Sequence, residues 1–135
     1  MSAVLRGYVY NHSSYSYSST TTIYITNSYS TGDVSATGSV VGGIAGYVYR
    51  SSITDSHSTG DVSATGSVVG GIAGYVDESS ITNSYSTGNV SATDANSYVG
   101  GIVGRAYSSS SSSTISITNS YSTGELVYCF RINNV

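Results

Sequence analysis

The fold class this sequence predicts is all-β: a β-solenoid (β-helix) of about four coils, with a 28-residue repeat and three short strands per coil. Three observations predict it. First, residues 25–52 read ITNSYSTGDVSATGSVVGGIAGYVYRSS and residues 53–80 read ITDSHSTGDVSATGSVVGGIAGYVDESS, so one unit follows another at a fixed 28-residue spacing. Such a period marks stacked supersecondary units, none of which buries its apolar face alone. Second, the composition suits strands and tight bends, with 14 Tyr, 16 Gly, abundant Ser and Thr, and no Pro or Trp. Good helix formers are scarce. Third, apolar and polar residues alternate in short runs, as they do along a half-buried strand.

The whole chain reads as one repeat domain. Residues 1–24 are a partial unit with a loop insertion, because Leu5-Arg6-Gly7-Tyr8-Val9 aligns with Ile44-Ala45-Gly46-Tyr47-Val48. Units at 25–52 and 53–80 are complete. The unit at 81–116 carries two extra residues near Asp94 to Asn96 and a serine run from Ser108 to Ser113. Residues 117–135 begin a further unit as ITNSYSTGE and then depart from the pattern.

Within a unit, Ile25 and Tyr29 are expected to face the core, and Thr26, Ser28 and Ser30 to face water. Gly32 ends that strand. Val34 and Ala36 form a second inward pair, and Val41, Ile44 and Val48 a third apolar set around the Gly42-Gly43 bend. Stacked coils about 4.8 Å apart bring equivalent residues into ladders. Ile25, Ile53, Ile81 and Ile117 form an aliphatic ladder. Tyr29, His57, Tyr85 and Tyr121 form an aromatic one, and Asn27, Asp55, Asn83 and Asn119 an amide one. Such ladders favour parallel, in-register strands. Arg50 and Glu78 fall on neighbouring coils, where they are placed to pair.

The runs VGGIAGYV at Val41–Val48 and Val69–Val76, with VGGIVGRA at Val99–Ala106, resemble the GLUG repeat, a motif named for Gly-Leu-any-Gly. The motif residues here are Gly43, Ile44 and Gly46, then Gly71, Ile72 and Gly74, then Gly101, Ile102 and Gly104, with isoleucine in the leucine position. The flanking half ITNSYSTGDVSA fits the same repeat, and the resemblance spans most of residues 25–125. Such repeats occur in large secreted and surface proteins of microbes, including adhesins. The resemblance therefore implies an extracellular or cell-surface structural or adhesive role, with any catalysis residing elsewhere.

Composition narrows the function classes. Four arginines, no lysine and seven acids leave a net charge of −3. No basic face for nucleic acid is expected. No run of 18 apolar residues suggests a transmembrane helix, and Met1 to Tyr10 lack the pattern of a secretory signal. Cys129 is the single cysteine, which excludes an internal disulfide. His57 lies beside Asp55, Ser56 and Ser58, but adjacent strand residues point to opposite faces, so catalysis is not expected. The column Asp33, Asp61, Asn89 and Glu125 reads as solvated side chains rather than an ion site, because the denser aspartate pattern of calcium-binding β-helix repeats is missing. No cofactor is expected. Asn11-His12-Ser13 and Asn89-Val90-Ser91 match the glycosylation sequon.

Two surfaces remain as candidates. A solenoid has an unpaired strand edge at each end. Val4 and Leu5 at one end, with Leu126, Val127, Tyr128, Phe130 and Ile132 at the other, are candidates for head-to-tail self-association into a filament. The alternative is a ligand face for surface glycans or ice, formed by Thr26, Ser28, Thr54, Ser56, Thr82, Ser84, Thr118 and Ser120.

Overall fold

The computed structural model describes residues 8–10, 23–66, 68–108 and 111–128. Among them lie 19 strands and no helix. The first layer holds β1 (Tyr8–Tyr10), β2 (Ile23–Thr26), β3 (Tyr29–Ser30), β4 (Val34–Ala36) and β5 (Val40–Gly42). The second holds β6 (Ala45–Tyr49), β7 (Ser51–Thr54), β8 (His57–Ser58), β9 (Val62–Ala64) and β10 (Val68–Gly70). The third holds β11 (Ala73–Asp77), β12 (Ser80–Thr82), β13 (Tyr85–Ser86), β14 (Val90–Ala92) and β15 (Tyr98–Gly100). Above them lie β16 (Val103–Tyr107), β17 (Ser116–Thr118), β18 (Tyr121–Ser122) and β19 (Leu126–Tyr128).

Each strand pairs in parallel with its copies in the neighbouring layers, which gives five sheets ordered β1-β6-β11-β16, β2-β7-β12-β17, β3-β8-β13-β18, β4-β9-β14-β19 and β5-β10-β15. The chain is therefore a parallel β-solenoid of about three turns. The expected fold class holds, with two corrections. The end segments add a fourth strand to four of the sheets rather than closing a fourth coil. Each coil also has five short strands instead of three: the corner at Asn27 parts β2 from β3, the bend at Gly43-Ile44 parts β5 from β6, and a second corner at Arg50 parts β6 from β7.

Those corners are residues at positive φ. Asn27, Asp55, Asn83 and Asn119 occupy one corner at φ of 50, 51, 51 and 49°, and Arg50 and Glu78 the other at 46 and 48°. Asn and Asp tolerate this left-handed region better than other non-glycine residues. The left-handed residue turns the chain and resets which parity faces inward. Ile53 and Ile81 before the corner are fully buried, and Ser56, Ser58, Ser84 and Ser86 after it are buried as well. Tyr29, expected in the core, is instead 70% exposed, and Tyr85 is half-buried.

A serine follows every corner, and at Ser56, Ser79, Ser84 and Ser120 its hydroxyl performs two tasks. Ser56 Oγ donates to Thr54 O at 2.9 Å and accepts the Ser28 N–H from the adjacent coil at 3.2 Å. Ser84 Oγ donates to Thr82 O and accepts the Ser56 N–H. At the other corner Ser79 Oγ donates to Asp77 O and accepts the Ser51 N–H. The corner thus leaves no orphaned backbone group at these positions, which burial would make costly.

The interior is divided into two apolar columns. One contains Ile44, Ala45, Val48, Ile53, Ile72, Ala73, Val76 and Ile81, supplied by the β6 and β7 sheets and the bend before them. The other contains Val34, Val41, Val62, Ala64, Val69, Val90 and Ala92, from the β4 and β5 sheets. Between them the coil is pinched where the glycine after β5, β10 or β15 meets a serine across the interior. A Cβ on Gly43 would overlap Ser58, one on Gly71 would overlap Ser86, and one on Gly101 would overlap Ser122. The register carries the inferred insertions: Val68 pairs with Tyr98 and Ser80 with Ser116, so the extra residues leave the coil at loops without breaking the ladders. Tyr8 pairs with Tyr47 and Val9 with Val48, as the alignment of the first segment requires.

Candidate functional site

The predicted hydroxyl face divides into two sets. The threonines and serines of Thr26, Ser28, Thr54, Ser56, Thr82, Ser84, Thr118 and Ser120 do not share a surface. Ser56 and Ser84 are 1% and 0% exposed, while the threonines lie on the outer side of the β2-β7-β12-β17 sheet. The left-handed corner between each threonine and its serine is the reason. The outer face does hold a second hydroxyl column, two residues before Thr54, Thr82 and Thr118, at Ser52, Ser80 and Ser116, with Tyr24 in that place before Thr26. Ser80 Oγ donates to Ser52 Oγ at 2.9 Å, Ser52 Oγ lies 3.4 Å from Thr54 Oγ1, and Thr82 Oγ1 lies 3.3 Å from Thr118 Oγ1. Two groups of bonded hydroxyls, Ser80–Ser52–Thr54 and Thr82–Thr118, therefore lie along this flank.

The neighbouring flank carries stacked rings. Tyr29 and His57 have centroids 5.5 Å apart, His57 and Tyr85 4.8 Å, and Tyr85 and Tyr121 5.4 Å, with interplanar angles of 12, 5 and 9°. A second column pairs Tyr47 with Tyr75 at 5.0 Å. Arg105 follows Tyr75 in that register, with its guanidinium carbon 5.8 Å from the Tyr75 ring centre and 5.1 Å from that of Tyr98. Burial raises the Tyr75 phenol above its ordinary 10.0, and Asp77 and Tyr107 add to this against a lowering pull from Arg105. Below that ordinary value the phenol is protonated in folded and unfolded chains alike, and its contribution to stability is complete. As pH rises past it, the unfolded chain ionises first, and the contribution is lost as pH climbs through the raised folded value. Urea titrations of the wild type and Tyr75→Phe should therefore diverge above about pH 10, with the wild type losing stability faster.

Amide and carboxylate columns tie the coils on the same side. Asn83 Nδ2 donates to Asp55 Oδ1 at 3.0 Å, and Asn119 Nδ2 to Asn83 Oδ1 at 3.3 Å. Asp55 has no amide hydrogen with which to continue the series to Asn27. Asp55→Asn should add that bond and raise stability by about 0.5–1 kcal/mol, read as a higher urea midpoint at unchanged slope. In the column read from sequence as solvated, each side chain accepts a backbone N–H from the next coil. Asp33 Oδ1 accepts from Asp61, Asp61 Oδ1 from Asn89, and Asn89 Oδ1 from Glu125, at 2.8–3.0 Å. Arg50 Nε donates to Glu78 Oε2 at 2.6 Å, so the expected pair forms.

Of the proposed end residues, Leu126 and Val127 lie in β19 and are 43% and 48% exposed. Tyr128 closes that strand. Val4, Leu5, Phe130, Ile132 and Cys129 lie outside the described residues. The motif glycines and isoleucines are structural. Ile44 and Ile72 are buried in the first core column and Ile102 packs against it. Gly74 lies against Val40 and Val41, and Gly104 against Val69, so these glycines let the β11 and β16 strands abut the backbone of the coil. Sequence reasoning missed the buried serines and their glycine partners. Their recurrence in the Ser-Thr-Gly run of every unit, at Ser58, Ser86 and Ser122, was the available signal.

The architecture and the repeated glycine bend define the class: a parallel β-solenoid whose coils are closed by glycine-serine contacts. The chain belongs to the GLUG motif family, whose model matches residues 37–63, 65–91 and 95–127, more than half of its length. No curated protein and no solved structure matches the chain.

Proposed function

We propose that this chain is a non-enzymatic structural module of an extracellular or surface protein, and that copies of it associate head to tail by stacking coil on coil. The observation that supports this is the polarity of the ladders. Between successive coils the amide bonds run from the Asn Nδ2 of the later coil to the side-chain oxygen of the earlier one. Asn27 and Tyr29 in the first layer carry the same groups, in the same order, as Asn119 and Tyr121 in the last. A second copy offering Asn27 to Asn119 and Tyr29 to Tyr121 continues both columns. Such a contact is heterologous and propagates instead of closing. Negative-stain electron microscopy across a concentration series tests the reading. Unbranched fibres with an axial repeat near one subunit length are expected, and monomers at every concentration would overturn it.

A second reading, a glycan- or ice-binding flank, is favoured by the outward column Thr26, Thr54, Thr82 and Thr118 beside Ser52, Ser80 and Ser116. Replacing Thr54 and Thr82 with bulky residues should abolish binding to a polysaccharide array or to ice while leaving fibre formation intact. Unchanged binding by that variant would remove the reading.

A further inference from the structure

Tyrosine is this chain's most abundant aromatic residue, and the fold arranges several of its side chains in parallel pairs. Tyr85 and Tyr121 occupy one register position on adjacent coils, with ring centres 5.4 Å apart and planes 9° from parallel. Tyr47 and Tyr75 repeat the arrangement at 5.0 Å and 10°. In both columns a different residue interrupts the series. His57 separates Tyr29 from Tyr85, and Arg105 follows Tyr75. Tyr121 is 55% exposed and Tyr85 half-buried, so an oxidant in solution reaches the first pair.

We propose that Tyr85–Tyr121 and Tyr47–Tyr75 are sites of oxidative coupling, at which dityrosine bonds staple adjacent coils. The oxidant is a peroxidase-type one-electron oxidant using hydrogen peroxide. Each phenol gives up one electron and its hydroxyl proton to become a phenoxyl radical. The two radicals join through one new carbon–carbon bond between the Cε atoms ortho to the oxygens. Each ring then returns its displaced Cε hydrogen to the phenol oxygen. Two phenols and one hydrogen peroxide thus yield one dityrosine and two waters, and the chain loses two hydrogen atoms per bond. Stacking holds the two rings at contact distance before either is oxidised, which gives the second radical a high effective concentration next to the first. The coupling depends on the register of the coils alone and is independent of head-to-tail association.

The positions of arginine make the test direct. Trypsin cuts this lysine-free chain after Arg6, Arg50, Arg105 and Arg131, which places Tyr47, Tyr75 with Tyr85, and Tyr121 in three successive fragments. The folded chain, at a concentration where it is monomeric, is treated with peroxidase and dilute hydrogen peroxide, then unfolded and digested. The expected result is dityrosine fluorescence in the monomer, with fragment 51–105 joined to 106–131 and to 7–50. Tyr121→Phe keeps the stacked ring and should abolish only the joining of 51–105 to 106–131. His57→Tyr should add a further bond in the same column, visible as an additional loss of two hydrogen atoms. Persistence of the 51–105 to 106–131 product in Tyr121→Phe would overturn the assignment, as would coupling found only between separate chains.

Discussion

Gly71→Ala is expected to destabilise the folded chain by about 2–4 kcal/mol, a large part of its margin. The added Cβ has no free volume, since it would overlap the Gly101 carbonyl oxygen and Ser86 Oγ and lie 2.7 Å from Ser86 Cβ. One of these neighbours is backbone held in the ladder by the Gly71 N–H to Gly100 O bond at 3.1 Å, so it does not yield cheaply. Overpacking a tight interior commonly costs about 1–3 kcal/mol, and displacing a ladder bond adds about 1 kcal/mol more. Native domains of this size are stable by only about 5–15 kcal/mol. Circular dichroism during a urea titration gives the measurement. A midpoint within error of the wild type would mean that the pinch between the two apolar columns is not a close contact. Ser86→Gly in the same chain should restore part of the loss, since it clears the side chain but not the carbonyl. That partial rescue separates the glycine-serine contact from the backbone overlap.

The second large effect is expected at Ile81. It is fully buried in the middle layer, between Ile53, which is equally buried, and Ile117, which is 43% exposed. Ile81→Ala leaves a cavity that rigid strands on both sides prevent from collapsing, at a cost of about 2–5 kcal/mol. Ile117→Ala makes the same chemical change at the end of the same ladder and should cost less than half as much, because its side chain is already partly in water. Equal losses at the two positions would show that burial along the column does not set the energetics. The comparison holds residue type and strand position constant, which single core substitutions seldom allow.

Much of this architecture was legible in the residues. The 28-residue spacing gave the stacking, and the insertions at Asp94 and in the serine run fell in loops, where ladder register tolerates them. The Ile ladder, the ring ladder and the Arg50–Glu78 pair followed from placing equivalent residues one coil apart. What failed was the parity of faces. Alternation assigns Tyr29 to the interior and the serine before it to water, yet Tyr29 is exposed and the equivalent serines Ser56 and Ser84 are buried. A residue with φ near +50° inserts a turn that alternation does not anticipate. The clue was chemical, since an Asn or Asp stands at that position in all four units, and these residues accept the left-handed conformation. Arg50 and Glu78 give no such signal at the second corner, and there only the structure shows the turn. The candidate hydroxyl face suffered directly: its threonines remain outside, while its serines became the hydrogen-bonding elements of the corners.

The ladders have a mechanical consequence. The strand pairs join each layer to its neighbours, and among the described residues no strand pairs with a layer beyond those. A tensile load applied through the two chain termini therefore does not shear all layers at once; it peels the outermost coil from its neighbour. Each release converts a rise of about 4.8 Å into 28 residues of extended chain, or up to 36 where the insertions lie, about 90–130 Å long. Stretching a single molecule should register this as successive steps of that length, and a tether made of such coils would lengthen in increments under load instead of breaking.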